Sequence, residues 1–168
     1  MTENGPDMDV VEKLVENDDS IKGIWCVPKY SNPLGITFSD ETVKRFAALK
    51  PAAKDFRIMW DNAYCVHDVT DTPDELLSLM AECRKTGNVD LPIMFTSTSK
   101  ITFPGSGVAA MAASDNNMKV IKNRYQYQVI SYDKMNMLRH ARFFGDLNGV
   151  KEHMNCIKLF LSQNLKLF

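Results

Sequence analysis

Apolar residues along the chain alternate between two periods, and the changes of period mark out the elements. Val10, Val11, Leu14 and Val15 recur at helical spacing over residues 9–16 and predict a short amphipathic helix. Residues 21–27 form an apolar run with β-branched and aromatic members, the pattern of a buried strand. The run ends in Pro28-Lys29-Tyr30-Ser31-Asn32-Pro33-Leu34-Gly35, a segment dense in turn formers. Ser39 is placed to cap a helix that sets Val43, Phe46, Ala47 and the stem of Lys50 on one face. A second strand over 56–60 leads into Asp61, and a third over 91–95 leads into Thr96-Ser97-Thr98-Ser99-Lys100. Between them, Thr72-Pro73-Asp74-Glu75 supplies the cap, proline and acidic first turn of a helix start. That helix is expected to run through Leu76, Leu77, Leu79 and Met80 to about Arg84 and to stop near Gly87.

Residues 107–113 are small and apolar, which predicts a strand or a tight helix–sheet contact. Residues 116–130 read as a helix with Met118, Ile121, Tyr125 and Val129 on one face; 135–144 predict another, and 147–154 begin one more. Strands alternating with helices predict an α/β layered fold. Three times, polar residues follow directly on the carboxyl end of an apolar strand, where open α/β sheets hold their ligands.

Composition narrows this picture. With 168 residues the chain can bury one sizeable core. A net charge of -1, with 20 basic and 21 acidic residues interspersed, excludes the basic surplus of a nucleic-acid binder. No apolar run spans a bilayer, and the opening Met1-Thr2-Glu3-Asn4-Gly5-Pro6-Asp7 is unlike a secretory signal, so no membrane partner and a cytoplasmic location are expected. Cys26, Cys65, Cys83 and Cys156 make no CxxC pair, which argues against a metal site or redox dithiol and for reduced, mostly buried thiols. Trp25, Trp60 and the methionines read as core.

Three motifs carry chemistry. Asn32-Pro33-Leu34-Gly35 resembles an N-P-x-G motif, Asp61-Asn62-Ala63-Tyr64 a D-x-A-Y motif, and Ser97-Thr98-Ser99-Lys100 an S-x-S-K motif, separated by 29 and 39 residues. Alone, each has a plainer reading: Asn32 as an Asx turn, Asp61 as a cap, Tyr64 as a core aromatic, Ser97 and Ser99 as turn serines. In this order, each at a strand end, they resemble the class I aminotransferases, fold-type I enzymes dependent on pyridoxal 5'-phosphate (PLP). The run Trp60-Asp61-Asn62-Ala63-Tyr64-Cys65-Val66-His67 is most similar to the bacterial aspartate aminotransferase-like branch.

The resemblance implies a mixed, mainly parallel sheet flanked by helices, an incomplete part of the large PLP-binding domain. It implies Lys100 as the Schiff-base and proton-transferring lysine, Asp61 opposite the pyridine nitrogen, Asn32 and Tyr64 on the phenolic oxygen, and Ser97 and Ser99 on the phosphate. Amino acid and 2-oxo acid substrates, with aspartate and 2-oxoglutarate as the pair, and a homodimeric full-length parent are implied in the same way. Lyases and racemases of the same fold share the lysine and aspartate, and a non-catalytic remnant or interaction module is the reading from another class. His67 is expected to be a satisfied structural residue near the cofactor.

The chain departs from the pattern in two respects. The family usually places an arginine eight residues after the lysine, whereas Ile101-Thr102-Phe103-Pro104-Gly105-Ser106-Gly107-Val108 holds none; with a loop one residue shorter, Gly107 takes that place. Phosphate binding is then expected to rest on serine hydroxyls and backbone N–H groups. The chain is also less than half the family's usual length, and lacks the upstream phosphate-gripping turn and ring-stacking aromatic and the downstream arginine for the substrate carboxylate. The expected division is residues 1–145 as the central part of the large domain, 146–154 as the start of an interdomain helix, and 155–168 as a tail created by a frameshift near Asn155. The coding DNA decides the last point, since codons incompatible with the shifted reading end it.

Overall fold

The computed structural model describes residues 1–102 and 104–165. Four strands, β1 (Gly23–Cys26), β2 (Arg57–Asp61), β3 (Pro92–Ser97) and β4 (Ala109–Ala113), form one sheet in the order β1-β2-β3-β4. The first three are parallel, and β4 returns antiparallel beside β3. The helices among the described residues are α1 (Met8–Asn17), α2 (Asp40–Ala48), α3 (Leu79–Thr86), α4 (Asp115–Gln128), α5 (Lys134–Phe144) and α6 (Leu147–Leu165). This is the α/β layering the alternating pattern implied, with the mixed, mainly parallel sheet that the family resemblance implied.

Local chemistry explains the boundaries. Asp7, Ser39, Ser78, Ser114 and Asp133 each cap a helix by accepting a backbone N–H from the first turn. Gly87 ends α3 in the left-handed region at φ 81°, which costs a residue without a Cβ nothing. The register Cys26–Trp60–Met94 puts these side chains on one face with Ile58, against Val43 and Phe46 of α2 and Leu79 and Cys83 of α3. Trp60 sits edge-on to Phe38 and Phe46, with ring centroids 5.7 Å away in both cases. Burial pushes the Cys26 and Cys83 thiols up to about 12, while Cys65 is half-buried and Cys156 exposed.

Three expectations change. The third helix is capped by Ser78 rather than by Thr72, because the Asp74 N–H is taken by the Tyr30 hydroxyl at 3.0 Å; Leu76 and Leu77 reach the core from a segment without regular secondary structure instead. Trp25 is 60% exposed, not core: with Met59, Ile93 and Phe95 it lies on the opposite sheet face, stacked on Phe95 at 5.5 Å between centroids. The methionines divide likewise, with Met8 and Met154 buried and Met135 and Met137 exposed. That second face is only partly covered by α4, whose Met118, Ile121 and Tyr125 line a cavity of about 510 Å³ with Phe95 and Met111. No helix among the described residues is long and apolar enough to cross a membrane.

Candidate functional site

The carboxyl ends of β1, β2 and β3 lie side by side, and the three motifs begin there. Asn32 is in the loop after β1, Asp61 closes β2, and Lys100 follows β3 by three residues. Alternation along the strands puts Asp61 and Ser97 on the face of Trp25 and Phe95, away from the packed core. Asp61, Tyr64, Ser97 and Ser99 are half-buried; Asn32 and Lys100 are exposed. Among the described residues, the side-chain polar atoms of Asn32, Asp61, Tyr64 and Lys100 have no hydrogen-bond or ion-pair partner, so none is committed elsewhere.

The first two loops hold each other. Lys29 is buried and its Nζ donates to Asp68 Oδ1 at 2.7 Å and to the Cys65 carbonyl at 3.4 Å. The Tyr30 hydroxyl donates to the same Asp68 oxygen at 2.9 Å; its own ionisation is pushed up by burial first and by Asp68 in addition. The Ser31 carbonyl accepts from Gly35 N at 2.5 Å, and Ser31 N donates to the Ile36 carbonyl at 2.9 Å, which closes the turn carrying Asn32. On the second loop, Asn62 N donates to the Phe95 carbonyl at 2.8 Å and extends the β2–β3 pairing by one step.

His67 links the second loop to the third. Its Nε2 lies 2.9 Å from the Lys100 carbonyl, which can only accept, so the proton is on Nε2. The ring stands edge-on to Tyr64 at 5.2 Å. Among the described residues, buried Ser31 Oγ, Asn62 Oδ1 and His67 Nδ1 have no partner, and all three lie on the loops that carry Asn32, Asp61 and Tyr64.

The lysine loop is a closed unit. Ile101 N and Thr102 N donate to the Thr98 carbonyl at 2.9 Å each. Thr98 N donates to the Val108 carbonyl at 2.9 Å, and Val108 N returns to Thr98 Oγ1 at 2.8 Å. Ser97 Oγ accepts from Ser99 N at 3.3 Å, which leaves its hydroxyl proton free to donate. A Cβ on Gly107 would stand 2.7 Å from Ser99 Oγ and 3.2 Å from Ser99 N. No side chain fits there unless Ser99 moves, so the backbone alone closes the loop at this point.

Three further residues that bond the loop carried no signal in the sequence. Asn136 and His140, one turn apart on α5, bond both ends of the loop, and His153 of α6 lies 2.9 Å from the Ile101 carbonyl. Their role depends on helices that pack back from positions far along the chain.

Comparison with known proteins assigns the chain to a family. The chain matches the aspartate amino-transferase family over residues 1–165. It belongs to that family. A Corynebacterium glutamicum aspartate aminotransferase is 45% identical over 154 residues, 92% of this chain and 35% of its own length. The solved structure of an aspartate transaminase from Corynebacterium glutamicum superposes with a TM-score of 0.90 at 43% identity, covering 95% of this chain and 37% of that one. An α-aminoadipate aminotransferase from Thermus thermophilus, complexed with N-(5'-phosphopyridoxyl)-L-leucine, shares the fold at 21% identity with a TM-score of 0.74. This aminotransferase-family chain therefore spans about a third of the length of the curated relatives it matches.

Proposed function

We propose that this chain carries the catalytic-lysine segment of a PLP-dependent aminotransferase, with an amino acid such as aspartate as donor and a 2-oxo acid as acceptor. One observation carries the reading: Asn32, Asp61 and Lys100 lie at or just after the carboxyl ends of three adjacent parallel strands, with their polar groups uncommitted among the described residues. The donor set fits PLP. Asp61 suits a protonated pyridine nitrogen, Asn32 and Tyr64 suit a phenolic oxygen, and the free Ser97 proton, with Ser99 beside it, suits a phosphate. The orphaned Asn62 Oδ1 on the same loop is one more polar atom awaiting a partner.

When bound, PLP supplies the electron sink for charge left on a substrate α-carbon. The residues of this chain do the rest of the work assigned to it. Asp61 would keep a proton on the ring nitrogen by charge. Lys100 would hold the cofactor through its amine, and the same amine would carry the proton at the substrate α-carbon. His67 fixes the Lys100 backbone from the neighbouring loop. Gly107 is too close to Ser99 for a side chain, which supports a phosphate grip made of hydroxyl and backbone N–H donors instead of an arginine.

The division at residues 145 and 154, a cytoplasmic location and a homodimeric parent belong to the same proposal. So does a frameshifted tail, although α6 runs unbroken from Leu147 to Leu165 across the junction. Reconstitution tests the central point. On titration with PLP, a visible band is expected, and borohydride should fix the label on Lys100, with Lys100→Ala losing it. A missing band, or label on another lysine, sinks the proposal and favours a non-catalytic remnant.

A further inference from the structure

All three histidines of the chain touch the loop that carries Lys100, each from a different element. The contact from α5 is the most specific. His140 Nδ1 lies 2.9 Å from the Asn136 carbonyl, an acceptor only, so in the neutral ring Nδ1 carries the proton and Nε2 is a lone-pair acceptor. Nε2 takes the Thr98 hydroxyl at 3.0 Å. The Thr102 hydroxyl, 3.2 Å from the same nitrogen, is directed to the Thr98 carbonyl at 3.1 Å. Thr98 Oγ1 meanwhile accepts Val108 N–H, so one threonine relays the imidazole to the far strand of the loop.

Asn136 is buried, and one turn earlier on the same face its amide donates to the Ser106 and Gly107 carbonyls. One face of α5 thus holds the start of the loop at Thr98 and Thr102 and its end at Ser106 and Gly107. Lys100 stands between these grips, exposed, with buried Ile101 beside it.

We infer that Asn136 and His140 are positioning residues: through Thr98 and the 106–107 carbonyls they set the direction in which Lys100 presents its amine and the height of the Gly107 turn. The inference rests on the proposed role of Lys100 and adds a control from a helix outside the strand-end motifs.

The test compares the full chain with His140→Ala, His140→Gln and Asn136→Ala. Two readouts are taken: amide hydrogen exchange at Thr98 and Val108 without cofactor, and the rate at which borohydride-fixed PLP accumulates on Lys100. His140→Ala and Asn136→Ala should speed exchange at both amides and slow labelling by about tenfold to a hundredfold, the cost of misplacing a reacting group by about an ångström. His140→Gln, whose amide oxygen can still accept the Thr98 hydroxyl, should restore most of both. Unchanged exchange at Thr98 and Val108 in both alanine variants overturns the inference, even if no chain takes up PLP. Labelling equal to wild type in the alanine variants also overturns it. Absence of label in wild type, with exchange still rising in the variants, overturns the role of Lys100 and leaves the α5 latch standing.

Discussion

Trp60 is fully buried between Phe38 and Phe46, and the next residue along β2 is Asp61. Core packing and site position are therefore set by adjacent side chains on opposite sheet faces. Trp60→Ala is expected to cost about 3–5 kcal/mol, since a large aromatic leaves a cavity that the surrounding rings fill only in part. A urea-unfolding midpoint measures it; a loss well under 1 kcal/mol would show that the core collapses freely around the gap. At this scale the placement of the motif residues beside the strand ends was legible. Asn32, Asp61, Tyr64, Ser97 and Lys100 stand in short motifs beside strand ends, and a strand end is marked locally by the switch from apolar to polar residues. Asn136, His140 and His153 were not legible, because nothing within a few residues of each marks it; only tertiary packing brings them to the lysine loop.

Most elements follow from their own caps and periods, and the departures have local causes. The segment 72–78 has every sign of a helix start, yet the Tyr30 hydroxyl claims the Asp74 N–H, so a contact across 44 residues displaces the cap to Ser78. Periodicity placed Trp25 in a buried strand but could not say which face would be covered. Between α1 and α2, Arg45 forms a fork with Glu12, Nε to Oε1 and Nη2 to Oε2 at 2.7 Å each, and meets Asp9 at 2.6 Å. The Arg45 hydrogen bonds hold the Glu12 carboxyl below its usual range. A carboxylate with a lowered folded pKa adds stability above its unfolded pKa and loses it as pH falls through the folded value. Arg45→Ala should therefore lower the urea midpoint slightly at neutral pH, in keeping with a surface pair, and the gap to wild type should close below about pH 4. A gap that stays constant down to pH 3 would assign the effect to packing of the Arg45 stem.

Across the molecule, one sheet face and one set of helices are finished and the other is not. Trp25, Tyr127, Ile130, Met135, Phe143 and Leu159 are all exposed, with Ile130 at 100%. Apolar surface on this scale binds other apolar surface. The folded chain should accordingly enhance 8-anilinonaphthalene-1-sulfonate fluorescence strongly in native buffer and sediment faster as its concentration rises through the micromolar range. Dye binding no greater than that of an ordinary monomeric domain, with constant sedimentation, would show that these side chains fold together in solution. The relatives that share this fold are nearly three times as long.

The two tryptophans of the chain happen to divide this asymmetry between them, one sealed in the packed layer and one stacked on Phe95 on the open face. They form a pair of built-in optical probes with separate reports. Emission from Trp60 should be blue-shifted and shielded from aqueous quenchers until the core melts. Emission from Trp25 should be red-shifted and quenchable in the folded chain, and should lose that access when a cofactor, a second copy or a longer partner covers the strand ends beside Asp61. A quenching titration can therefore tell occupancy of the site face from unfolding without any label being added.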